Sequence, residues 1–205
     1  MEDLTATLER LEWPGVEMPY CMTLVEGIAE DEVIRRLGGD PERTQQLSPQ
    51  QYWDLHLDDD AEERCFVGVT TVGGVVVAVE HNTYAGNVPG VLRSLSVGGR
   101  AFTMLNHIEA KDNIGYAVDG ELVIYEEPWG PLTPLRPGDP RWDPHWCDGL
   151  ADEEADVWLR GERMLALAER VMTCLMEPAW CTEPLRSAPI PNPDDLARTD
   201  AWDIP

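Results

Sequence analysis

Two runs of β-branched residues, separated by a pair of glycines, constrain this chain more than any other feature. Cys65-Phe66-Val67-Gly68-Val69-Thr70-Thr71-Val72 and Val75-Val76-Val77-Ala78-Val79-Glu80 flank Gly73-Gly74. Glycines at that spacing suit a two-residue turn with positive φ at both central positions, which matches the twist of paired strands. A second hairpin is expected from Ile114 to Val118 and from Glu121 to Glu126, joined by Asp119-Gly120, another preferred turn pair. A further strand is read over Arg100 to Asn106. The expected fold class is therefore α+β: an antiparallel, hairpin-linked sheet of four to five strands, packed by N-terminal helices and a long C-terminal helix.

The helices are read from caps and spacing. Leu4, Leu8 and Leu11 recur at helical spacing before Trp13-Pro14-Gly15 ends the run. In Glu30 to Gly39, acids open a helix, Arg35 and Arg36 close it, and glycine supplies a left-handed C-cap. Ser48-Pro49-Gln50-Gln51 reads as a capping box that starts a short helix over about 49–56. Another short helix is read within Val88 to Ser96, ending at Gly98-Gly99. Asp152 can cap a long helix reaching about Met176, with Trp158, Leu165, Ala168, Met172 and Leu175 on its apolar stripe. Residues 128–150 hold six prolines and three tryptophans, so regular structure is not expected there. The domain reading is a single α+β domain over 1–180, including this loop and the helix at 152–176, followed by an extended proline-rich tail over 181–205.

Charge narrows the function classes. The chain carries 39 acidic and 15 basic residues, a net of −24, and Lys111 is its lone lysine. Residues 1–64 hold 17 acids and 5 bases, residues 65–127 hold 7 and 3, and residues 128–205 hold 15 and 7. The field thus sits on either side of a nearly neutral β region. It repels phosphates, which argues against direct nucleic-acid binding or an anionic membrane surface and favours a basic protein partner. Neither a membrane-spanning run nor a signal peptide is read, so the expected setting is cytoplasmic. The five cysteines Cys21, Cys65, Cys147, Cys174 and Cys181 form no C-x-x-C pair and read as free thiols.

Candidate chemistry is sparse. The acidic run 58–63 lacks the glycine and distant glutamate of a calcium loop. His145-Trp146-Cys147-Asp148 gathers metal-ligand types without the paired spacing of a zinc site. The glycine pairs do not form a phosphate loop, and no cofactor is expected. Trp129, Trp142 and Trp146 lie near Arg136 and Arg141, and tryptophan and arginine dominate interface hot spots. These five residues are the candidate binding surface. An alternative site is Glu80, His81 and Asn82, where a strand gives way to a turn.

Cys21-Met22-Thr23-Leu24-Val25-Glu26-Gly27, then Glu32 to Gly38, then Val67-Gly68-Val69-Thr70 through Val79-Glu80-His81-Asn82, and Asp119-Gly120-Glu121-Leu122-Val123 resemble an uncharacterised family of small cytoplasmic proteins from high-GC Gram-positive bacteria. The resemblance spans roughly residues 13–128 and part of the long helix. In that family the hairpin more often continues into Glu-Pro-Asn-Gly, where this chain has Glu80-His81-Asn82-Thr83. The resemblance implies a fold and a cytoplasmic setting but no activity or site residue.

The sequence thus leads to a non-enzymatic acidic protein-interaction module: an immunity-like, inhibitory or accessory subunit. The reading from a different class is a small enzyme or ligand-binding domain with a site near residues 80–82.

Overall fold

The structure is a computed structural model that describes residues 4–11, 20–56, 65–81, 83–106, 112–127, 136–150 and 161–199. Its centre is one sheet of eight strands, not four or five. In chain order these are β1 (Tyr20–Glu26), β2 (Gln45–Leu47), β3 (Cys65–Val72), β4 (Val75–His81), β5 (Arg100–Asn106), β6 (Asn113–Val118), β7 (Glu121–Glu126) and β8 (Leu185–Ile190). They lie in the order β2-β8-β3-β4-β1-β5-β6-β7, with every neighbouring pair antiparallel.

Both expected hairpins form. Gly73 and Gly74 have φ of 58° and 87°, and Asp119 and Gly120 have φ of 50° and 82°, the left-handed pairs that a two-residue turn of this type requires. The strands absent from the sequence reading are β1, β2 and β8. β1 is central, and Tyr20 to Val25 are all buried, so it shows none of the alternation that marks a half-exposed strand. β2 has only three residues. β8 contains Pro189, but β2 covers only Leu185 to Ser187, so past Ser187 it is an edge strand, where proline is tolerated. The segment read as a proline-rich tail therefore supplies a strand between β2 and β3.

Seven helices accompany the sheet among the described residues: α1 (Leu4–Leu11), α2 (Glu30–Arg36), α3 (Pro49–His56), α4 (Pro89–Ser96), α5 (Glu162–Met172), α6 (Ala179–Thr182) and α7 (Pro193–Thr199). The capping box of α3 is reciprocal. The Ser48 backbone N–H donates to Gln51 Oε1 at 2.8 Å, and the Gln51 N–H donates to Ser48 Oγ at 3.4 Å. The long C-terminal helix is a second correction. It is α5, which stops at Thr173 in the left-handed conformation (φ 54°), so residues 173–176 do not continue it. Its expected beginning, 152–160, lies outside the described residues.

Helices cover both faces of the sheet. Met22, Leu24, Val77, Val79, Phe102, Met104 and Tyr116 share one core with Leu11 of α1 and Leu165, Ala168, Val171 and Met172 of α5. On the opposite face, Val25, Val76, Ala78, Ala101 and Ala117 share a core with Val33, Ile34 and Leu37 of α2 and Val91, Leu92 and Leu95 of α4. Small side chains let α4 come close: a Cβ on Gly115 would stand 2.6 Å from Leu92 Cδ2. β7, at the border, carries a bulge, because Tyr116 pairs with Ile124 and Ala117 with Leu122, leaving Val123 extra.

Candidate functional site

Strand alternation sends Glu80 and His81 to opposite faces of the sheet, so these neighbours build two separate clusters. On the face beneath α4, Glu80 is fully buried. Its carboxylate accepts the backbone N–H of Ala85 at 2.7 Å and of Gly86 at 2.8 Å, closing the 3₁₀ turn Ala85–Asn87 that starts the crossover from β4 over β1 to β5. Cys21, Thr23 and Thr103 lie on the same face. The Thr23 and Thr103 hydroxyls are 3.1 Å apart, and Cys21 Sγ is 3.6 Å from the Thr103 hydroxyl. Burial pushes the Glu80 carboxyl up to about 7, against the pull of its two N–H donors, and pushes the Cys21 thiol well above its ordinary range. Gly86 is needed here, since a Cβ would lie 2.1 Å from Thr23 Oγ1. This cluster anchors a turn. Its carboxylate is committed to the backbone, and its thiol is protonated and enclosed.

On the other face, His81 stands opposite Tyr20, and Tyr20 stands opposite Asn106, so three polar side chains form a row across β4, β1 and β5 at the strand ends. Tyr20 is 3% exposed, whereas His81 and Asn106 are half-buried. The Tyr20 hydroxyl and His81 Nδ1 are buried atoms without a hydrogen-bond partner. Tyr52 of α3 packs its ring 5.0 Å from the imidazole and bonds Ser187 Oγ of β8 at 2.6 Å. Burial drives the His81 imidazole down to about 4 and holds the Tyr20 phenol well above its usual range, with Cys181, Asp112 and Glu162 adding to the latter effect. At neutral pH both groups are uncharged. The sequence reading missed Tyr20 and Asn106, because only the register of β1 brings them into one row with His81, and it missed Asp112, which acts on the Tyr20 phenol. Asn82 and Trp129 lie outside the described residues.

The structure brings the other proposed binding residues together. Trp142 is 5% exposed and meets Trp146 edge-on at 5.2 Å. Both rings pack on Tyr116 of β6, at 6.2 and 5.9 Å. Arg141 grips Asp139 through Nε and Nη2, at 2.9 and 2.6 Å, holding that carboxyl down to about 2. Arg136 and Arg141 also reach Glu121 Oε2 of β7, at 2.9 and 3.0 Å. The described part of the segment, residues 136–150, is thus clamped to the β6–β7 hairpin by Trp142, Trp146, Arg136 and Arg141.

A shallow depression of about 350 Å³ lies at the other end of the sheet, lined by Ile28, Glu30, Asp31, Thr71, Val76 and Arg186, among others. Its charged walls neutralise one another: Arg186 bonds Glu30 at 3.3 Å and Asp31 at 2.7 Å. Among the described residues no group of three or more His, Cys, Asp or Glu side chains could hold a metal ion, and no helix is long and apolar enough to cross a membrane.

A family model matches residues 8–139, more than half of the chain, and the chain belongs to that family, described as a family of unknown function (DUF6461). No curated protein and no solved structure matches it.

Proposed function

We propose that this member of the family of unknown function is a non-enzymatic acidic protein-interaction module: an immunity-like, inhibitory or accessory subunit that meets a partner with a basic surface, in the cytoplasm of a high-GC Gram-positive bacterium. The observation that carries this reading is how the chain uses its few cations. Arg10 pairs with Glu169, Arg35 and Arg36 with Glu32, Arg100 with Glu26, Arg136 and Arg141 with Glu121, and Arg186 with Glu30 and Asp31. Arg163 and Arg170 donate to backbone carbonyls. With 39 acids against 15 bases, arginines engaged in this way leave an outward field that is predominantly negative, which speeds encounter with a basic surface and disfavours nucleic acid. Glu80, one of the three residues of the alternative site, is committed to a turn.

Affinity purification of the tagged chain from its native host at low and high salt, followed by mass spectrometry, tests the reading. A partner rich in lysine and arginine is expected at low salt, with recovery that falls as salt rises. Failure to recover any partner at low salt overturns the proposal.

A further inference from the structure

We propose that the row of His81, Tyr20 and Asn106 is a binding site for an alkylammonium group, the head of a small primary amine or of a lysine side chain. The site lies within the fold and stands apart from the outer acidic surface. Three observations converge on it.

First, the register places the three side chains at one level on adjacent strands, on one face, where directly opposed Cβ atoms are about 5 Å apart. Second, two of the three present unmet hydrogen-bonding atoms. Buried polar atoms are nearly always paired in folded proteins, yet the Tyr20 hydroxyl and His81 Nδ1 have no partner, and they belong to residues directly opposed across β1 and β4. Third, two acidic side chains among the described residues act on the Tyr20 phenol. Asp112, itself buried, and Glu162 both disfavour a negative charge there.

An ammonium group answers each of these. It brings three N–H donors and no acceptor, so it can donate to the Tyr20 oxygen and to His81 Nδ1 in the Nε2–H tautomer. Its charge is matched by the acidic neighbours, and the alkyl stem fits a wall that includes the Tyr52 ring. Because burial keeps His81 uncharged at neutral pH, the imidazole retains its lone pair for the ligand. An anion would be opposed by the same carboxylates. Entry is through the half-buried ends of the row, His81 and Asn106.

The test uses the full chain with isotope-labelled histidine and tyrosine, followed by NMR at pH 7.5. Four probes are titrated: n-butylammonium, the uncharged n-pentanol of similar shape, N-acetyl-lysine amide, and its side-chain-acetylated form. The expected result is a saturable shift of the His81 and Tyr20 signals with one or both ammonium probes, and none with the uncharged pair. Tyr20→Phe should weaken that binding at least tenfold while leaving the melting temperature unchanged or raised, since it removes only an unpartnered hydroxyl. Butylammonium alone assigns the site to a free amine, and the lysine amide alone assigns it to a partner's lysine. The proposal is overturned if neither ammonium probe shifts the signals at millimolar concentration, if n-pentanol shifts them equally, or if Tyr20→Phe binds as tightly as the parent. Those results would leave a bridging water as the occupant of the row.

Discussion

The Glu80 carboxylate accepts the Gly86 backbone N–H at 2.8 Å at a place where any side chain on Gly86 would collide with Thr23. A buried acid and an absent Cβ together let the crossover from β4 to β5 lie flat on the sheet.

This arrangement gives stability an unusual pH dependence. The Glu80 carboxyl is raised to about 7 in the folded chain from an ordinary 4.5. The folded state therefore holds this proton more tightly than the unfolded chain does, and the contribution present below pH 4.5 is lost as pH rises through 7. The loss is at most about 3 kcal/mol. Glu80→Gln cannot ionise and should show a flatter profile between pH 5 and 7.5 in urea titrations, at a cost of about 1–3 kcal/mol at pH 5 from the disrupted pair of N–H contacts. Parallel profiles for parent and variant would refute this account.

Gly86→Ala should destabilise by about 1–3 kcal/mol through overpacking, because the new Cβ meets Thr23 Oγ1 at 2.1 Å. Thr23→Ala removes that oxygen, so part of the loss should return in the double variant. The measurement is a double-mutant cycle by chemical denaturation, and strict additivity would show that the two positions do not touch.

Trp142 serves as a plug for the core above Tyr116. Trp142→Ala should cost about 3–5 kcal/mol and also lower the cooperativity of unfolding, read as a smaller urea m-value. Arg136→Ala, which removes one exposed ion pair with Glu121, should cost less than about 1 kcal/mol. Thermal melts of the two variants should therefore separate widely.

Tyr52→Phe removes the hydroxyl that bonds Ser187 of β8. Ser187 also donates to the Leu185 carbonyl, so it retains a partner and the cost should stay near 1 kcal/mol. Hydrogen exchange should accelerate locally, in β8 and β2, while β1 and β4 keep their protection. Uniform acceleration across the sheet would contradict the docking of α3 on β8.

How much of this was legible in the sequence follows from the range over which each signal acts. Gly73-Gly74 and Asp119-Gly120 carry their turn chemistry within two residues, and the Ser48–Gln51 box within four, so those elements could be read directly. β1 could not be read in this way. A strand buried on both faces shows no period, and its neighbours β4 and β5 lie far along the chain. The candidate site depends on that same strand: His81 was visible as a residue at a strand end, but its partners Tyr20 and Asn106 are set by register. The separation of Glu80 from His81 followed from alternation, once β4 was known to run through both. For the tryptophan segment, sequence showed the clustering of aromatics and arginines but not that Trp142 and Trp146 pack on the ring of Tyr116.

The borders of the sheet have a consequence for the chain at high concentration. One border is the three-residue β2, too short to template a neighbour, continued past Ser187 by the end of β8, which carries Pro189. The other is β7, bent by its bulge at Val123 and carrying Glu121 and Glu126 at its two ends. If two copies met antiparallel along β7, Glu121 of one would face Glu126 of the other, and like charges would oppose the contact. A sheet with strands as rich in valine as β3 and β4 could otherwise pair edge to edge. These borders oppose extension of the sheet by edge-to-edge pairing.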